Sequence, residues 1–170
     1  MKQLTKFLVL AIVMFGYTAA TFGQASATAT ATATIVAPIA IANTADMNFG
    51  NVAVGASAGT VILTPAGGRS TTGGVTLPAV TGTVTAAAFN VTGQANFTYA
   101  ITLPAAATTI TSGANTMTVD TWTSNPTPTG TLSAGGSQAL TVGATLNVNA
   151  NQPAGTYVSA TPFTVTVNYN

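Results

Sequence analysis

The chain has 170 residues, of which 47% are hydrophobic and only 3% charged, and it contains neither histidine nor cysteine. Those absences exclude disulfide cross-links, Cys/His metal sites and histidine-based acid–base or nucleophilic catalysis. Low charge accompanies disorder only when hydrophobicity is also low, so a folded domain is expected.

In chain order, Lys2 and Lys6 flank the start of an apolar run at residues 7–15, which small and polar residues follow in GYTAATFGQA. That is the layout of a cleaved secretory signal over residues 1–25, and the run is too short to span a bilayer. The expected product is secreted, extracellular or at the cell surface and periplasmic in transit, with no membrane insertion after cleavage. It keeps Arg69, Asp46 and Asp120 as its charged side chains, a net charge of −1. No basic patch remains to release counterions from a nucleic acid, and no cationic face to hold an anionic lipid surface.

Residues 26–42 read SATATATATIVAPIAIA. One apolar phase runs through Ala27, Ala29, Ala31, Ala33, Ile35, Ala37, Ile39 and Ile41, with side chains that grow along it. Four alanines bury little, so residues 26–34 are expected to form an extended leader and IVAPIAI the first strand of a single domain over residues 35–170. Pro38 has no amide hydrogen to donate, which places it at a sheet edge or where a strand changes sheets.

From there a period of two residues dominates. FTYAITL puts Phe97, Tyr99, Ile101 and Leu103 on one face. ALTVGATLNVNA does the same with Leu140, Val142, Ala144, Leu146 and Val148, and FTVTVNYN with Phe163, Val165, Val167 and Tyr169. Such alternation marks strands with one buried and one wet face. Further strands are expected in MNFGNVAV (47–54), TVILT (60–64), AAFNVTG (87–93) and NTMTVDTWT (115–123). Turns are expected at PAGGRSTTGG (65–74), SNPTPTG (124–130), SAGG (133–136) and NQPAG (151–155). The pattern predicts an all-β fold, an antiparallel immunoglobulin-like or pilin-like β-sandwich, with a closed β-barrel as the alternative.

No constellation for chemistry emerges after residue 25. That part of the chain has no Lys or Glu, and Asp46 and Asp120 stand far apart with no ligand pattern around them. No enzyme, cofactor or metal site is expected. GGRSTTGG is Gly-rich, but it lacks the lysine and the following helix of a phosphate loop and reads as a flexible hairpin loop. Trp122 lies on the phase opposite Met117 and Val119. It is either an exposed platform for a sugar ring, with Tyr157 as a second contact, or a residue of the second core layer.

The scarcity of charge has a consequence of its own. Soluble β proteins guard their sheet edges with lysine, other charges or proline, and this chain keeps no lysine beyond residue 6. Edges of this kind suit completion by a neighbouring β subunit or a second copy. The residues expected to form such assembly strands are Ile35, Ile39, Ile41, Phe163, Val165, Val167 and Tyr169.

ATATIVAPIAI, MNFGNVAV, LTPAGGRSTTGGVTLP, FTYAITLP, TLSAGGSQALTVGATLNVNANQPAGTYVS and FTVTVNYN together resemble a secreted bacterial family catalogued as domain of unknown function 4402, over roughly residues 30–170. The resemblance implies a β-sandwich surface or exported protein. A looser likeness links PAGTY (153–157) and the final strand, with Tyr169 next to last, to fimbrial subunits and spore coat protein U-like domains. That likeness implies a periplasmic chaperone that reads the last strand, and an N-terminal arm that completes a neighbour. The chain lacks the usual cysteine pair of those families, and its arm is alanine-rich where a donor strand is bulky. The expected function is therefore a non-enzymatic structural subunit, pilin-like, that associates by strand addition. A monomeric binding module, for carbohydrate, and a cross-β matrix protein are the alternatives.

Overall fold

A computed structural model describes residues 23–170. The expected secretory signal falls on residues outside that range, except for residues 23–25. Residues 23–34 belong to no strand and are exposed throughout. Ile35–Asn170 forms a compact unit.

That unit is all-β. Its strands are β1 (Ala40–Ala45), β2 (Ala53–Leu63), β3 (Arg69–Thr76), β4 (Ala87–Thr92), β5 (Thr98–Thr102) and β6 (Thr108–Ser112). They continue as β7 (Asn115–Asn125), β8 (Thr129–Thr131), β9 (Ser137–Val148), β10 (Val158–Ser159) and β11 (Thr166–Tyr169). Every pairing is antiparallel. A large sheet runs β1-β4-β9-β7-β6-β10, with the β2–β3 hairpin joined through β2 to β9, and a second sheet runs β11-β5-β8. The large sheet curls as a half-barrel, and the two sheets form a sandwich rather than one closed barrel.

Strand β9 organises the large sheet. Leu140, Val142, Ala144, Leu146 and Val148 are all buried, as their alternation predicts. One edge of β9 pairs with β7, and the other is shared. β4 takes Ser137–Val142 of that edge, and β2 takes Ala144–Val148. Gly143 stands at the handover. A Cβ there would collide with the carbonyl oxygen of Leu63 and the backbone of Thr64 and Pro65. Hydrogen at this position is what lets β2 turn away while β4 takes its place.

The core has two halves. Under the small sheet, Ala87, Val91, Leu140 and Val142 meet Tyr99, Leu132, Val165 and Val167. In the other half, Val61, Val75, Met117, Val119, Ala144, Leu146 and Val148 lie beneath partly buried residues that belong mostly to irregular segments, among them Phe49, Val52 and Tyr157. The buried Tyr99 reaches between sheets, its hydroxyl donating to Gln138 Oε1 at 2.8 Å. Tyr99 is paired with Gly130 of β8, where any Cβ would strike the phenol ring.

Several local expectations need correction. IVAPIAI is not a strand along its length: regular pairing starts at Ala40, against Thr92, and Ile35 is 97% exposed. Pro38 sits just before β1, an edge strand of the large sheet. MNFGNVAV contributes a single bridge, Asn48 with Thr85, and then the first residues of β2. The Gly-rich 65–74 stretch is not a loop either. Its turn ends at Gly68, and Arg69 opens β3, whose Ser and Thr side chains suit a paired strand. Thr60 and Thr72 hydroxyls meet across that hairpin at 2.7 Å. Gly73 and Gly74 are there because β2 bulges between Val54 and Gly59, laying the carbonyls of Ser57 and Ala58 where their Cβ atoms would be. Strands β6, β8 and β10 had no sequence signal. They carry short Thr-, Gly- and Ser-rich segments that become strands because a longer neighbour supplies the partner.

Candidate functional site

Strand β7 carries the decisive irregularity. Asp120 pairs with Thr145 and Thr123 with Gly143, so β7 advances three residues while β9 advances two. The extra residue is a β-bulge, and Thr121 takes φ +50° within it, an uncommon conformation for a β-branched side chain. A bulge of one residue reverses the face that later side chains occupy. Met117 and Val119 point inward before it, and Trp122 and Ser124 after it. Trp122 therefore faces the core from the phase that alternation assigns to solvent, and it packs against both core halves.

The indole stacks obliquely on Phe163, with ring centroids 4.4 Å apart and planes at 37°. Its Nε1 is buried and has no hydrogen-bond partner, the only such side-chain atom among the described residues. An unpaired buried donor costs about 1–3 kcal/mol, so the site carries a local penalty.

Trp122, Tyr157 and Phe163 line one cavity of about 1100 Å³. Its floor is the concave face of the large sheet, with Met117, Val119, Leu146 and Val148. Its roof is made by residues 46–54 and 152–163, which are mostly irregular. The roof is pinned at Tyr157, whose hydroxyl donates to the Pro153 carbonyl and accepts from Gln152 Nε2, both at 2.8 Å. Gln152 Nε2 also donates to the Thr116 carbonyl, tying roof to sheet. Asn43, Asp46, Asn48 and Asn51 line the cavity too, and Asp46 is the one charged residue that does so. Sequence reasoning selected Trp122 and Tyr157, and the fold brings them together. It missed Phe49 and Gln152, and Phe163 was read as an assembly residue instead; only the NQPAG turn and the MNFGNVAV alternation marked their neighbourhoods.

The two aspartates serve different local roles. Asp120 accepts from Asn147 Nδ2 at 2.9 Å and from the Thr121 hydroxyl at 3.0 Å, bracing the bulge. Asp46 accepts from Asn43 Nδ2 at 3.3 Å. Among the described residues no three His, Cys, Asp or Glu side chains gather in a way that could hold a metal ion.

The residues expected to form assembly strands mostly face their own core. Val165 and Val167 are buried, and Ile39, Ile41, Phe163 and Tyr169 pack partly buried against the half under the small sheet. Ile35 alone is exposed. Tyr169 has a further role at the base of the N-terminal segment. Its hydroxyl accepts from the Gln94 amide at 2.6 Å and donates to the Ala37 carbonyl at 2.8 Å, while Gln94 Oε1 accepts from the Ala37 amide at 3.3 Å. Both polar groups of the Ala37 backbone are thus held by side chains. Replacing Tyr169 with Phe is expected to cost about 1–2 kcal/mol, because the part-buried Gln94 amide loses its acceptor. Amide exchange at Gln94 should quicken by more than the change in global stability accounts for; equal changes would show that the phenol holds nothing locally.

Fold and site together define a cysteine-free antiparallel β-sandwich, closed by a second sheet over one half and roofed by irregular chain over the other. A family model, Domain of unknown function (DUF4402), matches residues 39–169, and the chain belongs to that family. No curated protein and no solved structure matches it. No helix among the described residues is long and apolar enough to cross a membrane.

Proposed function

We propose that the protein is an exported, non-enzymatic surface subunit, fimbrial-like in its use of a β-sandwich, that associates with copies of itself or a neighbouring β subunit by strand addition. The observation that carries this reading is the near absence of charge on its edge strands. β1, β3, β8, β10 and β11 contain one charged residue, Arg69, and its guanidinium is spent on the carbonyls of Phe49 and Asn51. Natural edges are normally protected by charge, and these carry little to oppose pairing with another chain. The exposed, alternating Ala/Thr segment at residues 26–34 supplies an uncharged extended partner with high β-propensity at its threonines. With Val165 and Val167 buried in their own core, association runs through backbone hydrogen bonds along the edges. A periplasmic chaperone that shields those edges during export fits the same reading.

The test is light scattering and negative-stain microscopy of exported protein with and without residues 26–34. Discrete oligomers or filaments are expected from the intact chain, and monomers after the deletion. A monomer at all concentrations in both forms would overturn the proposal. Fibres with a cross-β diffraction pattern formed only from unfolded chain would favour the matrix reading.

A further inference from the structure

We infer that the cavity beneath residues 46–54 and 152–163 is a binding site for a neutral saccharide, with Trp122 as its central contact. This inference does not rest on the assembly reading, because it is argued from the side chains that line the cavity and not from the charge of the strand edges.

Three features select the ligand class. Size is the first. A cavity of about 1100 Å³ lies just above the usual range for small-molecule sites, so there is room for one or two sugar rings. Charge is the second: no basic residue lines the cavity, which disfavours an anion, and Asp46 is positioned as an acceptor for ligand hydroxyls. The remaining polar groups are neutral amides and hydroxyls, the partners that sugar hydroxyls use. The third is the aromatic wall of Trp122, Phe163 and Tyr157 above an aliphatic floor. An alkyl chain would also suit the floor, but it offers nothing to the side chains of Asn43, Asn48, Asn51 and Gln152 along the lining. A hydroxylated ring does.

Trp122 is the protein's single tryptophan, so its emission reports on this cavity alone. The full exported chain is titrated with cellobiose, maltose and N,N′-diacetylchitobiose, and binding is confirmed by calorimetry. At least one disaccharide is expected to shift Trp122 emission saturably at millimolar concentration or below. Trp122→Phe replaces the indole with a smaller aromatic ring in the cavity wall, and should weaken calorimetric binding by about tenfold. Asp46→Asn changes an exposed rim residue without threatening the fold, and should weaken it similarly. Retention on insoluble cellulose or chitin, competed by the soluble sugar, would identify a polysaccharide chain as the source; sugar binding without retention would identify a free saccharide. No response to any of the disaccharides overturns the inference. So does a response to octanol alone, which would assign the cavity to an apolar ligand, or unchanged affinity in both variants.

Discussion

Replacing Tyr99 with alanine is expected to lower the stability of the folded domain by about 3–5 kcal/mol, the range for deleting a large buried aromatic ring. Tyr99 is fully buried, belongs to the core half under the small sheet, and crosses Gly130 in the strand pair that joins β5 to β8. It is also a polar tie between the two sheets through Gln138. Tyr99→Phe separates the two contributions: it keeps the ring and is expected to cost about 1 kcal/mol for the lost hydrogen bond. The phenol adds a pH dependence. Burial raises its pKa above the ordinary value of 10.0. The folded state therefore binds the Tyr99 proton more tightly than the unfolded state does. That contribution is fully present below pH 10.0 and is lost as pH rises through the folded-state value. Urea unfolding at rising alkaline pH should show stability declining in the wild type, and less steeply in Tyr99→Phe. Identical slopes in the two proteins would mean that Tyr99 does not carry the alkaline limb.

The second large effect is expected at Gly143. Alanine there should cost about 3 kcal/mol or more, at the upper end for overpacking, because the added methyl meets the Leu63 carbonyl and the Thr64–Pro65 backbone instead of a movable side chain. Relief requires β2 to pull away from β9. The pairs Leu63–Ala144 and Ile62–Thr145 should open first, and the β2–β3 hairpin should then exchange its amides faster than β4 does. Gly135→Ala provides the contrast. Its Cβ would meet only the Ser133 hydroxyl, at an ordinary contact distance of 3.6 Å, so stability should change by no more than a few tenths of a kcal/mol. A Gly143→Ala protein as stable as wild type would refute the account of how one edge of β9 serves two strands.

The same residues show how far the chain can be read without its fold. In β5, β9 and β11, alternation located the strand and its inward face, with Tyr99, Leu140, Val142, Leu146 and Val167 all buried; it failed just outside them, where Phe97 is exposed ahead of β5 and residues 163–165 are irregular although Val165 is buried. Each of these segments pairs in register with no bulge of its own, so a local pattern is enough. Trp122 lies beyond a bulge in β7, where counting by two assigns the wrong face. The Gly-rich stretch failed for a related reason. Gly73 and Gly74 look like loop residues, yet they mark a close approach by the backbone of residues 57–58, close to them in space and distant in sequence. For the candidate site, Trp122 and Tyr157 were visible as chemistry-bearing side chains. Their shared cavity with Phe163 was not, because it comes from three separate parts of the chain meeting under one roof.

The amino-acid sequence alone determined the all-β class, the family, the scarcity of charge that leaves strand edges unguarded, and the inward faces of the regular strands. These follow from composition and from the two-residue pleat, both of which act over a few neighbouring residues. The tertiary structure decided where Trp122 points, which glycines are packing positions, how β9 divides its edge between two partners, and that half of the core lies beneath irregular chain with space for a ligand. Those outcomes depend on register and on contacts between distant segments, and such contacts exist only once the sheet has curled and its neighbours have paired.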